Sequence, residues 1–275
     1  MCGRIGTLAA YGRTALLRHD ERGLMPPETP VAILNYHRIT DEHSSGSLFH
    51  DVTMVRFQSQ MSHLARCAVE TDGPVHRLGN GRSAVLTFDD SFAEHLTVGM
   101  LLQGHGLVGT FSVISGFLGK TGHLSASDLK HLTVLGHRIA SHTVTHRPLP
   151  SLSNVQLFAE LGDSKAALED LTGQAVDWLI PPGGLLCPRS LDVATEVGFK
   201  VVRTMEWGYT SLPLVGVVPC LPILPFFSLR RFERLLDGHA RIWLFNIKRH
   251  LKSTLGDQVY TACRNVLAAH RIGGA

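Results

Sequence analysis

The sequence predicts an α/β fold, specifically a distorted (β/α)7-type barrel, and three observations lead there. Short apolar runs rich in β-branched and aromatic residues recur between Gly, Pro, Asn and Asp punctuation. Most are followed by a segment with helical apolar spacing. The runs are nearly continuous rather than alternating, as expected for strands covered on both faces in a parallel sheet. Seven such runs stand at 31–36, 84–88, 107–113, 138–141, 176–180, 200–203 and 215–218, and that count favours an irregular barrel over an open sheet.

The connecting helices follow in order. Residues 55–68 place Phe57, Met61, Leu64 and Ala68 on one stripe. Residues 92–103 and 126–135 form the next two. The segment 154–171 is closed by Gly173 as a left-handed cap, and Ser190 and Gly198 bracket a shorter helix. The window 212–229 is long and apolar enough for a membrane span, but it contains Pro213, Pro219, Pro222 and Pro225. Four prolines make a buried strand followed by an irregular loop the better reading. Residues 1–28 lack a strand pattern and are read as an N-terminal arm, 29–228 as the α/β barrel domain, and 229–275 as a helical C-terminal extension. In that tail Arg230, Arg231, Arg234, Arg241, Lys248, Arg249 and Lys252 alternate with Phe232, Trp243, Phe245 and Leu251, a candidate for peripheral membrane contact.

Composition excludes several classes. The chain has 275 residues, 44% of them hydrophobic and 18% charged, with mean hydropathy +0.10. This is too apolar for a disordered regulator and too interrupted for a polytopic membrane protein. A net charge of +3 is no footprint for a phosphate backbone, so nucleic acid is not the expected partner. Cys2, Cys67, Cys187, Cys220 and Cys263 are odd in number and widely spaced. They form neither a disulfide framework nor a zinc knuckle, which favours a reducing compartment. With no convincing signal peptide, the expected location is cytoplasmic, with membrane association through the tail.

In α/β sheets the C-terminal strand ends form the functional rim. The run ending at Phe88 is followed by Asp89 and Asp90, that ending at Ser141 by His142-Thr143-Val144-Thr145-His146, and that ending at Ile180 by Pro181-Pro182-Gly183-Gly184. His142 and His146 are four apart, so one helical turn would put both imidazoles on one side. Two imidazoles and one carboxylate suit a zinc site with an open position. Asp90 is then the ligand and Asp89 the base. The competing reading makes Asp90 a helix-dipole partner, with Ser91 and Glu94 as a capping box, and Pro182-Gly183-Gly184 an ordinary turn.

Taken in this order, Thr87-Phe88-Asp89-Asp90, Ser141-His142-Thr143-Val144-Thr145-His146 and Pro182-Gly183-Gly184 resemble the motifs of the polysaccharide deacetylases, the NodB-homology group of carbohydrate esterases. Leu34-Asn35-Tyr36-His37-Arg38 is similar to the first strand of many bacterial members. The resemblance implies one divalent metal, usually zinc, and removal of an N- or O-acetyl group from a sugar or glycan. It assigns Asp89 as general base, Asp90, His142 and His146 as metal ligands, and Thr87 and Ser141 as their buttresses. Pro182, Gly183, Gly184 and Trp207 then line the substrate groove, Trp207 in the Glu206-Trp207 step.

Two departures accompany it. Ile180 stands where the family has an arginine holding the base, with Arg203 or Arg147 as substitutes. No histidine follows the last strand to serve as general acid. His37, at the end of the first strand, is the candidate, against the alternative of a structural histidine held by a backbone carbonyl. An acetylated saccharide is the expected partner. The rival function is a catalytically impaired saccharide-binding domain that keeps the metal cage.

Overall fold

The structure is a computed structural model and describes residues 29–41 and 51–239. The expected N-terminal arm and most of the expected basic tail lie outside these residues. The strands are β1 (Val31–Tyr36), β2 (Ile39–Thr40), β3 (Val52–Thr53), β4 (Ala68–Asp72), β5 (Val75–Leu78), β6 (Ser83–Phe88), β7 (Gly109–Val113), β8 (Arg138–Ser141), β9 (Trp178–Leu179), β10 (Val201–Trp207) and β11 (Gly216–Pro222). The helices are α1 (Met54–Cys67), α2 (His95–Gly104), α3 (Ala126–Val134), α4 (Asn154–Phe158), α5 (Ser164–Thr172), α6 (Pro188–Val197) and α7 (Leu229–Leu236). Between α4 and α5 the chain passes through a π turn at Ala159–Asp163.

Seven strands close into a parallel barrel in the order β1-β6-β7-β8-β9-β10-β11, with β11 pairing back onto β1. The expected barrel is therefore the observed one. The β4–β5 hairpin, which the periodicity missed, pairs antiparallel with β6 through Val75↔Val85, His76↔Ala84 and Arg77↔Ser83. Beyond that point β7 takes over the same edge from Leu86 to Phe88. The hairpin is mostly polar and exposed on β4, so it carries little apolar signal.

Strand alternation sorts the residues. Val31, Ile33, Val85, Val201, Val218 and Cys220 belong to one buried cluster. Two residues further along their strands come Asn35, Thr87 and Arg203, all buried and hydrogen-bonded to one another through Asn35 Oδ1. The core is thus apolar at one level and polar at the next, just below the C-terminal rim. On the other face of β1 and β6, Tyr36 and Phe88 stack at 5.5 Å and meet Phe57 of α1 edge-on. The stripe Phe57, Met61 and Leu64 is buried as its spacing requires; Ala68 instead opens β4.

Helix α2 begins at His95 with Glu94 as an uncapped N-cap. The Ser91–Glu94 capping box is not formed. Ser91 has φ 51° and its hydroxyl accepts from Ile114 N–H at 3.3 Å, so the turn after β6 is tied to the end of β7 instead. The apolar window before α7 forms β11 and a loop, and no helix among the described residues is long and apolar enough to cross a membrane. Helix α7 buries Phe232, Leu235 and Leu236, and the Phe232 ring meets His63 of α1 edge-on at 6.4 Å.

Candidate metal and acid–base site

Every strand that presents a candidate residue does so at the same end of the barrel. His37 follows β1, Asp89 and Asp90 follow β6, His142 and His146 follow β8, and Pro182 to Gly184 follow β9. Asp90 Oδ1 lies 3.2 Å from His142 Nε2 and 3.3 Å from His146 Nε2. The two imidazole nitrogens are 3.1 Å apart. Bonds of about 2.1 Å at tetrahedral angles would separate ligand atoms by about 3.4 Å, so the triangle has the size that a small divalent cation requires.

The donor chemistry agrees. His142 Nδ1 donates to the carbonyl of Ile180, the kind of outer bond that orients a metal-binding imidazole, and its Nε2 faces the triangle. The ligand atoms of Asp90, His142 and His146 all lie within 4.8 Å of one another, a set that shared protons or a bound cation can bridge. Burial pushes the Asp90 carboxyl up, but hydrogen bonds from His142 and His146 outweigh it and hold it well below the usual range. His142 is nearly fully buried, whereas the His146 side chain is 38% exposed. The cluster therefore opens to solvent on the His146 side.

The backbone that delivers these groups is not helical. Thr143 has φ 67° and His146 φ 60°, and Asp90 and Ser91 have φ 75° and 51°. Among the described residues these are the non-glycine residues in the left-handed region. Each costs about 1–3 kcal/mol and persists only where the surroundings impose it. The expected helical turn across 142–146 is thus corrected: a looped backbone, not i,i+4 helical geometry, brings the imidazoles together. His142 N–H donates to Val113 O, Thr143 N–H to Ser141 Oγ and His146 N–H to Thr143 Oγ1. Ser141 also pairs with Ser164 Oγ at 2.8 Å.

Asp89 is buried beside this triangle. Its Oδ1 accepts from Ser112 Oγ at 2.8 Å and from the Arg203 guanidinium at 2.5 Å, and Oδ2 contacts the same guanidinium. Burial raises the Asp89 carboxyl, but the Arg203 guanidinium, with smaller effects from the His37 and His142 rings, lowers it to about 2. Arg203 sits on β10, fully buried, and also donates to Asn35 Oδ1 at 3.2 Å. Of the two substitutes for the missing arginine, Arg203 reaches the base, while Arg147 lies exposed. Thr87 donates to Asn35 Oδ1 at 3.1 Å, so it supports Arg203 rather than the metal triangle. The backbone carbonyl of Ile180 keeps a role at its position by orienting His142.

His37 Nε2 lies 3.8 Å from Asp89 Oδ2, close but beyond hydrogen-bond distance. Its carbonyl accepts from Nε2 of the buried His95 at 2.8 Å. His95 was not singled out by the sequence, where one histidine of sixteen carries no distinguishing neighbour. Pro182–Gly184 forms a 3₁₀ turn with Gly183 exposed and Gly184 buried. A Cβ on Gly184 would lie 2.4 Å from Met205 N, so Gly184 serves close packing onto β10. Trp207 ends β10 on the same rim, 6.3 Å from the Phe227 ring.

A closed parallel barrel with an Asp-His-His cluster and a buried Asp–Arg pair at its C-terminal rim defines a fold whose site can hold one divalent cation. Residues 77–202 match the family model described as polysaccharide deacetylase, a match that covers just under half of the chain. The chain is 26% identical over 190 residues to the Bacillus subtilis protein YxkH, covering 66% of each chain. It is also 26% identical over 147 residues to the peptidoglycan-N-acetylglucosamine deacetylase PgdA of Listeria monocytogenes, covering 51% of this chain and 30% of that protein. The chain thus spans just under two thirds of one relative and less than a third of the other.

Among solved structures, the Streptococcus pyogenes deacetylase PplD in complex with acetate superposes with TM-score 0.66 at 22% identity, covering 76% of this chain and 98% of that one. A polysaccharide deacetylase from Bacillus cereus gives TM-score 0.67 at 23% identity, covering 76% and 69%. At these identities it is the fold that is shared.

Proposed function

We propose that the protein is a metal-dependent hydrolase that removes an acetyl group from a saccharide, with an N-acetylated glycan as substrate. The observation that carries this reading is the Asp90-His142-His146 triangle beside an ionised, buried Asp89. Zinc suits the two-imidazole, one-carboxylate donor set. A divalent cation held there supplies Lewis acidity, polarising an acetyl carbonyl and making nearby water nucleophilic near neutral pH.

The chain's own residues do the rest. Asp89 accepts the proton of the attacking water, its carboxylate fixed by Arg203 and Ser112 so that no reorganisation accompanies the step. His37, 3.8 Å away, delivers a proton to the departing amine, and the His95 bond to its carbonyl fixes where that imidazole starts. Amide cleavage needs this proton because an amine anion is a poor leaving group. Trp207 and the 182–184 turn line the approach. The contact of Arg203 with Asp89 and the 3.8 Å approach of His37 to it support turnover over the impaired-domain alternative.

The test is acetate release from N-acetylglucosamine oligomers by zinc-loaded protein, with Asp89→Asn as control. Release by the wild type and its loss in the variant is expected. Zinc binding without release by the wild type on N- and O-acetylated glycans would favour the binding-domain alternative.

A further inference from the structure

Glu160 belongs to none of the motifs, standing 16 residues beyond Val144, yet it is buried and holds the loop that carries both imidazoles. One oxygen, Oε2, accepts from the backbone N–H groups of Val144 and Thr145, both at 2.9 Å. The other, Oε1, accepts from the Thr145 hydroxyl. With these bonds every backbone N–H from His142 to His146 has a partner: Val113 O, Ser141 Oγ, Glu160 twice, and Thr143 Oγ1. Only Glu160 among these partners is charged, and it alone serves the two residues midway between the imidazoles.

The placement of Glu160 has a structural cause. It belongs to the π turn between α4 and α5, and a π turn inserts a residue and rotates the following face of a helix. Glu160 and Ser164, four apart, both point at the loop, Ser164 reaching Ser141. Gly116 adds a further tie to the loop. Its N–H donates to Val144 O at 3.1 Å, and a Cβ there would lie 2.5 Å from that oxygen.

We propose that Glu160 is a positioning residue for the cation site: it holds the 142–146 loop, with Thr143 and His146 in the left-handed region, so that His142 and His146 converge before a cation arrives. The inference rests on the metal-site reading above. A glutamate in this role pre-organises the ligands, so its loss appears in cation affinity rather than in which atoms coordinate. Removal of partners that orient ligands commonly weakens metal binding about 10–100-fold.

The test compares Zn²⁺ affinity, by competition with a chromophoric chelator, in wild type, Glu160→Gln, Thr145→Val and His146→Ala, alongside amide exchange of Val144 and Thr145 in the metal-free proteins. Glu160→Gln keeps the size and one acceptor oxygen, so it guards against simple misfolding. Thr145→Val removes only the hydroxyl bond. Glu160→Gln is expected to bind zinc at least about tenfold more weakly and to exchange the 144 and 145 amides faster, with core amides unchanged, and Thr145→Val to fall between it and wild type. Affinity within twofold of wild type in folded Glu160→Gln, while His146→Ala loses zinc, overturns the proposal and leaves the metal site standing. Absence of zinc binding in the wild type instead overturns the site itself.

Discussion

The buried ion pair between Arg203 and Asp89 offers the sharpest test of the site, because replacing Arg203 by Leu leaves a carboxylate with almost no access to water. Both side chains are buried, at 0% and 3% exposure. Removing one member of such a pair costs about 3–5 kcal/mol, much of it the penalty of stranding the other charge. The drop of Asp89 from 3.8 to about 2 is by itself equivalent to about 2 kcal/mol in favour of the folded state at neutral pH. Because this folded value is depressed, the contribution is present above pH 3.8 and fades as pH falls toward 2. In Arg203→Leu, burial acts on Asp89 with its strongest opposing charge gone. The carboxyl then moves upward, and the variant regains stability relative to wild type on acidification from pH 7 to 4. Asp89→Asn strands Arg203 instead, and the double variant strands neither charge. Urea unfolding of metal-free protein should therefore give a double variant about 2–3 kcal/mol more stable than the sum of the single effects predicts. Additivity within about 0.5 kcal/mol, or a pH-independent Arg203→Leu penalty, would refute the account.

Further outcomes follow from the same geometry. Asp89→Asn should abolish acetate release and retain the cation, whereas Asp90→Asn should lose both; equal metal content in the two would show that the roles are not divided as proposed. His37→Ala should depress amide hydrolysis far more than hydrolysis of an activated acetyl ester, whose leaving group needs no proton. Equal losses on both substrates would assign His37 to structure. His76 and His137 have their pKa lowered by burial, partly offset by hydrogen bonds to Val108 O and Gly99 O. Their contribution is therefore complete above about pH 6.5 and declines as pH falls below it. Between pH 6.5 and 5, His76→Gln/His137→Gln should show a shallower loss of stability in urea than wild type, and an unchanged slope would count against neutral burial.

What the sequence determined by itself was the part written in local periodicity and strand-end chemistry. Apolar runs bounded by turn residues placed all seven barrel strands, because a strand buried on both faces must be apolar whatever its neighbours are. The polar residues just past those runs gave Asp89, Asp90, His142 and His146, because a parallel barrel gathers its C-terminal ends on one rim. Tertiary structure alone decided what holds them. Arg203 reaches Asp89 across 114 residues of sequence from inside a strand, and Glu160 reaches Val144 from a π turn that no apolar spacing announces. The looped path of 142–146 was equally hidden: H-x-x-x-H reads as a helical turn until Glu160, Ser141 and Val113 claim the backbone N–H groups that a helix would use. Periodicity reports which face of a segment is buried, whereas a polar group's partner depends on which strands become neighbours, and only closure of the barrel fixes that.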